Sequence, residues 1–447
     1  MKQKTQYVCQ NCGAIYAKWQ GRCSSCNEWE TIALVEISKE TKKHNEISSG
    51  NIKRLSEISS DNEYRIVTKI TEFDRVLGGG IIPGSLVLVG GDPGIGKSTL
   101  LLQMCSGVRD FKPLYITGEE SLQQIKFRSN RLKDIPDDLM LLAETDIEKI
   151  IHTIQTTDCG IVIVDSIQSV FSDKIEATPG SVVQVRECAS ALMQLAKQSE
   201  KPIFIVGHIT KEGVLAGPKI LEHLVDTVLQ FEGDKTYAYR ILRTLKNRFG
   251  STNEIGIFEM VEDGLLEVSN PSAHFLANRG TDHSGIAIVA SIEGTRPILI
   301  EVQALVTPTN FSVPQRTVTG CDIRRLNMIL AVLEKRLGEK FSKYDVFVNI
   351  AGGLYLNDPS IDLGVAAALI SSLRDDPISS DTVLIGEIGL TGEIRPISLI
   401  EQRLNESQKL GFKRAIIPKG KELNNNKNGI KLIEVQRISL ALAEIFK

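Results

Sequence analysis

Between residues 65 and 270, short apolar runs alternate with stretches of helical periodicity. SLVLVG (85–90), KPLYITG, GIVIVDS and KPIFIVGHI each read as a strand buried on both faces, and the segments between them are long enough for amphipathic helices. That alternation predicts a mainly parallel sheet covered by helices on both sides. Three later runs, LVDTVLQFEG, YAYRILRTLKNR and NEIGIFEMVEDGLLEV, are joined by short turns and predict hairpins that extend the sheet. Near Asn270–Pro271 the pattern resets. HSGIAIVASIEG, PILIEVQALV and YDVFVNIAGG then predict the strands of a second α/β domain, with two Ala/Leu-rich helices. Residues 1–30 hold four cysteines and both tryptophans but little else to build a core, and 31–62 have the mixed polar composition of a linker. The expected divisions are therefore 1–30, 31–62, 63–270 and 271–447.

Composition narrows the partners. With 52 Lys and Arg against 55 Asp and Glu, there is no overall basic bias. A nucleic acid would have to be held by local basic patches. The first residues carry no apolar stretch behind their charges, and no run of eighteen apolar residues occurs, so neither a signal peptide nor a membrane span is expected. Cytoplasm is the expected compartment.

GDPGIGKS, Gly91 to Ser98, satisfies G-x-x-x-x-G-K-[ST] between an apolar strand and a helical run. Such a loop turns its backbone N–H groups toward phosphate oxygens, and the following helix adds its positive end. Gly91, Asp92, Pro93, Gly94, Ile95, Gly96, Lys97, Ser98 and Thr99 are the candidate ATP-binding residues. Lys97 would reach the β and γ phosphates, and Ser98 would offer its hydroxyl to Mg²⁺. IVIVDS ends in Asp165, a carboxylate expected on a strand next to the loop strand, where it would order the Mg²⁺ water shell. Glu119 and Glu120 follow the strand PLYITG. Either could begin the next helix or polarise the attacking water, and Glu119 is the preferred base.

Three further features are open on the residues alone. KNRFG places Lys246 and Arg248 near a hairpin end, where they would either reach a phosphate in a neighbouring subunit or form an exposed basic turn with Phe249 in the core. GHITKEGVLAGPK (207–219) reads as a mobile loop whose Lys211 and Lys219 could contact a nucleic-acid backbone. His208 at its start is either a γ-phosphate sensor or a surface histidine. Finally, Cys9, Cys12, Cys23 and Cys26 form C-x2-C-x10-C-x2-C, a four-thiolate Zn²⁺ site whose ligation would supply the folding energy of so small a segment.

Together the four-cysteine knuckle, LGGGIIPGSLVLVGGDPGIGKSTLLLQ, ITGEES and KNRFG resemble the bacterial RadA (Sms) DNA-repair family along essentially the whole chain. The resemblance implies a RecA-like ATPase core assembled as a homo-hexamer. It also implies binding of single-stranded or branched DNA, interplay with a RecA-type recombinase, and branch migration. By the same likeness Lys97, Ser98, Glu119 and Asp165 serve phosphate, Mg²⁺ and catalysis. His208 matches a γ-phosphate sensor, and Lys246 and Arg248 act on the next subunit's nucleotide. The C-terminal half looks like the proteolytic domain of Lon, with Ser360 of NDPSIDLG at the nucleophile position and Asp362 in place of a glycine. Glu401 falls where the general-base lysine is expected and Arg403 lies nearby, so the serine should lack a base. A DNA motor, an ATP-gated scaffold and a Lon-like protease are the three readings carried forward.

Overall fold

A computed structural model describes residues 4–9, 14–25, 28–29, 31–37, 64–208, 218–233, 239–276, 283–420 and 429–447. Contacts divide the chain into two compact units, Met1–Glu232 with Arg240–Thr252 and Phe258–Glu267, and Gly233–Tyr239 with Asn253–Ile257 and Val268–Lys447.

At the N-terminus, strands β1 (Lys4–Cys9), β2 (Ile15–Tyr16) and β3 (Ile32–Ile37) form an antiparallel sheet in the order β2-β1-β3. Lys4 to Cys9 pair in register with Ile37 to Ile32, so this sheet runs past residue 30 into the segment whose composition reads as linker.

The central region begins with α1 (Thr71–Val76) and continues as β4 (Leu86–Gly91), α2 (Lys97–Gly107), β5 (Pro113–Thr117), α3 (Leu122–Ser129), β6 (Met140–Ala143), α4 (Ile147–Thr156), β7 (Ile161–Asp165), α5 (Val182–Ser199) and β8 (Ile203–His208). It then runs through α6 (Pro218–Leu224), β9 (Thr227–Glu232), β10 (Tyr239–Asn247), β11 (Ile255–Val261) and β12 (Gly264–Glu267). Nine strands join in the order β12-β11-β10-β9-β4-β8-β7-β5-β6. From β9 to β6 every pairing is parallel, and the antiparallel β10 follows β9, as the later apolar runs predict. Ahead of their carboxyl ends the central strands are uniformly apolar because both faces are covered. Val87, Val89, Ile161, Ile163, Phe204 and Val206 enter one core, and Leu86, Leu88, Val162, Val164, Ile203 and Ile205 enter the other. This is the RecA-like arrangement expected from the sequence, with the Gly-rich loop at the carboxyl end of β4.

The second unit carries α7 (Pro271–Phe275), β13 (Ile286–Glu293), β14 (Arg296–Pro308), β15 (Arg316–Thr319), α8 (Ile323–Leu337), β16 (Tyr344–Ile350), α9 (Asp362–Arg374) and β17 (Thr382–Leu384). After a two-stranded β18 (Glu387–Ile388) and β19 (Ile394–Arg395) come α10 (Ile400–Lys409), β20 (Arg414–Pro418), β21 (Lys431–Val435) and α11 (Ile438–Ile445). Its sheet order is β15-β16-β14-β13-β17-β20-β21. The Ala-rich stretch of α9 lets that helix approach β13 closely. A Cβ on Gly364 would come within 2.0 Å of Val289 Cγ1, so no larger residue fits there without moving the helix. Among the described residues no helix is long and apolar enough to cross a membrane.

Candidate active site

At the carboxyl end of β4 the chain turns through residues 92–96 and enters α2 at Lys97. Gly96 has φ +122°, and a Cβ there would meet Met260 Cε at 3.0 Å, so backbone conformation and space both call for glycine. Pro93, Gly94, Gly96, Lys97, Ser98 and Thr99 line a cleft of about 480 Å³. Thr117, Glu119, Glu120, Arg128, Asp165, Arg240 and Met260 complete its walls. Lys97 is 4% exposed, and its Nζ donates to the carbonyls of Gly91 at 2.7 Å and Asp92 at 3.0 Å. Burial pulls its pKa down to about 8, against the opposing pull of Asp165, Asp92 and Glu119.

Asp165 ends β7, which is separated from β4 by β8. The expectation of a strand next to the loop strand is therefore corrected by one position, yet the carboxylate still reaches the cleft. Tyr115 on β5 donates its hydroxyl to Asp165 Oδ2. Burial first, then the Asp165 charge, pushes that phenol well above its usual pKa and keeps it a donor. Gly118 sets the path of the chain beyond β5. Its N–H donates to the Asp165 carbonyl at 3.0 Å, and a Cβ would fall 2.1 Å from Ser169 Oγ. Glu119, the next residue, accepts from Ser166 Oγ, which places it beside Asp165.

Glu120 takes another partner, Arg128 on α3. Neither acid lies in the first turn of that helix, which starts after the Ser121 cap with a reciprocal Ser121–Gln124 capping box. Arg128 and Arg240 are lining residues that motif reading does not find, since neither belongs to a spaced pattern.

His208 ends β8 opposite Gly91 in the strand register, beside the phosphate loop, and its side chain lies outside the described residues. Lys211 lies outside them too. Lys219 sits in α6, with its side chain likewise outside.

Lys246 and Arg248 do not line the cleft. Lys246 Nζ donates to the carbonyls of Glu222 and, at 2.8 Å, Val225, and burial, with Arg248 beside it, holds its pKa below the usual lysine value. Arg248 pairs with Asp226, a buried carboxylate that also receives Lys197 at 2.7 Å and the Leu86 N–H at 3.0 Å. These contacts fix KNRFG at the Leu86 end of β4, whereas the phosphate loop leaves from the Gly91 end. The strand between them spans about 17 Å at ~3.3 Å per residue. Phe249 is half-buried and carries Lys197 over its ring at 5.8 Å, so it is not a core residue.

In the N-terminal sheet the leading cysteine of each C-x2-C pair makes a backbone hydrogen bond five residues on. Cys9 N donates to Ala14 O and Cys23 N to Glu28 O, each at 2.9 Å. Both thiols are buried, Cys9 Sγ lying 3.2 Å from Thr31 Oγ1 and Cys23 Sγ 3.1 Å from Tyr16 Oη. Cys12 and Cys26 lie outside the described residues. Two buried thiols, each leading a C-x2-C pair, fit a tetrahedral thiolate site.

Three family models match parts of the chain. "Rubredoxin metal binding domain" matches residues 7–33, "AAA domain" residues 53–214, and "Subunit ChlI of Mg-chelatase" residues 313–421. A DNA repair protein RadA from Halalkalibacterium halodurans is 53% identical over 424 residues, covering 93% of each chain. Proteins of the same name from Listeria monocytogenes and Bacillus subtilis are each 49% identical, covering 99% of this chain and 98% of theirs. The chain belongs to the RadA family of DNA repair proteins. Family membership and the AAA-domain match together make ATP hydrolysis the activity of the central region.

In the second unit of this RadA-family chain, Ser360 is fully buried. Its hydroxyl accepts from Arg403 Nη1 at 2.6 Å and lies 3.3 Å from Ala290 O. Arg403, not Glu401, is the α10 residue presented to the serine, while Glu401 is exposed on the other side of the helix. The same guanidinium nitrogen meets Asp358 Oδ2 at 2.6 Å. Burial works to raise the Asp358 pKa, but Arg403 and the N–H groups of Ser360 and Ile292 hold it below the usual carboxylate value. A guanidinium cannot accept the serine proton, so Arg403 is no general base for Ser360. Asp362 is buried and paired with Arg325, a contact that a glycine at this position would lack.

Proposed function

We propose that the chain is a DNA-dependent ATPase of recombination and DNA repair, a hexameric motor that promotes branch migration. The observation that carries the reading is the split of one sheet into two chemical ends. Lys97, Ser98, Glu119 and Asp165 converge on the cleft at one end, while Lys246 and Arg248 are fastened at the other, beyond reach of their own nucleotide. Charge stabilisation by KNRFG therefore requires a second copy of the chain, as a closed ring supplies.

In this reading Lys97 and the backbone of residues 91–99 hold the ATP phosphates, and Glu119 orients the attacking water. Ser98 and Asp165 would hold Mg²⁺, which neutralises phosphate charge. His208 reports the γ-phosphate to the segment after it, and Lys211 and Lys219 contact DNA. Cys9, Cys12, Cys23 and Cys26 would hold a structural Zn²⁺. The divisions are a ribbon, a linker, an ATPase domain to about residue 270 and a Lon-like domain used for assembly. The names of the relatives support the place in DNA repair, RecA-type recombinase interplay suits such a motor, and the compartment is the cytoplasm.

Steady-state ATP turnover with and without single-stranded DNA tests this. Stimulation by DNA that disappears in Lys97→Ala is expected. A Lys97-dependent rate indifferent to DNA would favour an ATP-gated scaffold. Peptide cleavage lost in Ser360→Ala would overturn the non-proteolytic reading.

A further inference from the structure

A triphosphate entering the cleft must approach a lining that holds three carboxylates, Glu119, Glu120 and Asp165, against three cations, Lys97, Arg128 and Arg240. Two of those carboxylates accept from neutral hydroxyls, Glu119 from Ser166 and Asp165 from Tyr115. Glu120 differs. Its Oε1 accepts from Arg128 Nη2, an ion pair whose side chains are 30% and 24% exposed.

Both partners are fixed by backbone. The Glu120 N–H and carbonyl each engage Thr117 Oγ1 at 3.0 Å, and Arg128 lies on α3 behind the Ser121–Gln124 capping box. The second carboxylate oxygen of Glu120 and the Nη1 of Arg128 are shielded from solvent and make no hydrogen bond. These two atoms are withdrawn from water although the side chains are partly exposed, so removing one partner would leave the other's charge nearer the nucleotide with less screening than at an open surface.

We propose that Arg128 is a positioning residue for the nucleotide. It cancels the Glu120 carboxylate where the triphosphate approaches, and it leaves Glu119 and Asp165 as the acids that act. The proposal rests on the ATP-site reading of the cleft. Arg128 works through Glu120 in this scheme, which separates it from Lys97 and from any cation that touches phosphate.

The test compares the full-length wild type, Arg128→Ala and the double variant Arg128→Ala with Glu120→Gln. Affinity for a fluorescent ATP analogue is measured beside kcat and KM for ATP. An orphaned carboxylate repels the triphosphate in the bound substrate and in the transition state alike, so Arg128→Ala should raise Kd and KM by at least about tenfold while kcat changes by less than about threefold. Adding Glu120→Gln should return Kd to within about threefold of wild type. A double variant that binds as weakly as Arg128→Ala would overturn the proposal and show that Arg128 meets phosphate itself. Wild-type affinity in Arg128→Ala would overturn it as well. Arg128→Gln, which retains a polar stem, serves the same comparison if the alanine variant melts early. A wild-type turnover no faster than that of Lys97→Ala would instead remove the ATPase reading, a result distinguishable from the others without any Arg128 variant.

Discussion

Replacing Arg403 by methionine should loosen the second unit from within. The guanidinium is 1% exposed and places one nitrogen 2.6 Å from each of Asp358 Oδ2, Ser360 Oγ and Ala290 O. Methionine fills much of the stem's volume but leaves the Asp358 carboxylate, 12% exposed, with neutral donors alone: the N–H groups of Ser360 at 3.0 Å and Ile292 at 2.8 Å and the Ser291 hydroxyl at 3.4 Å. Breaking a buried pair on one side costs about 3–5 kcal/mol, because a charge is left without its partner. Adding Asp358→Asn removes that charge and should recover at least about 1 kcal/mol. Hydrogen exchange of peptides from β13 and α10 reads this local stability without requiring the whole chain to unfold in one step. The acid side gives a second reading. The folded pKa of Asp358 lies below its ordinary value of 3.8, so the pair's contribution is present above about pH 4 and is lost as pH falls through the folded pKa. The loss in Arg403→Met should therefore be largest near neutrality and shrink in acid. A loss under about 1 kcal/mol, or a double variant no better than the single, would refute the argument.

Lys97, drawn down to about pKa 8 by burial, is charged below that pH and neutral above it, so ATP affinity should hold steady to about pH 7 and decline toward pH 9. The decline should be absent in Lys97→Ala, and a parallel slope in both proteins would assign it to another group. For the ribbon, Trp19 and Trp29 are the only tryptophans of the chain and are 59% and 68% exposed, so intrinsic emission reports on that segment alone. A strong chelator should release zinc and change this emission, and Cys9→Ser should purify without zinc. Full zinc content in Cys9→Ser would contradict the four-thiolate site.

Strand identity was legible where burial is two-sided. The runs containing Val87, Ile163 and Phe204 alternate between two cores, and uninterrupted apolarity is the direct trace of that burial. Edge strands leave a weaker trace. β6 exposes or half-exposes all four of its residues, and β15 is exposed or half-exposed throughout, so neither stands out as an apolar run. The phosphate loop was legible because its chemistry is local in sequence. Arg128 and Arg240 were not, since long side chains converge on the cleft from α3 and β10 with no fixed spacing from the loop. The place of β8 between β4 and β7 is likewise a property of topology. On α10 a two-residue shift decided the outcome. At about 100° per residue, positions 401 and 403 face nearly opposite ways, and Arg403 joins Leu404 and Ser407 on the buried face.

The central claim, that one chain's Arg248 completes the next chain's nucleotide site, is tested most directly by mixing subunits. Lys97→Ala and Arg248→Ala should each be nearly inactive alone. Mixed before ring assembly, they form interfaces in which an intact Lys97 from one chain faces an intact Arg248 from the other, and a clear fraction of DNA-stimulated ATP turnover should return. A mixture as inactive as its components, or an Arg248→Ala protein that turns over ATP like wild type, would contradict the account.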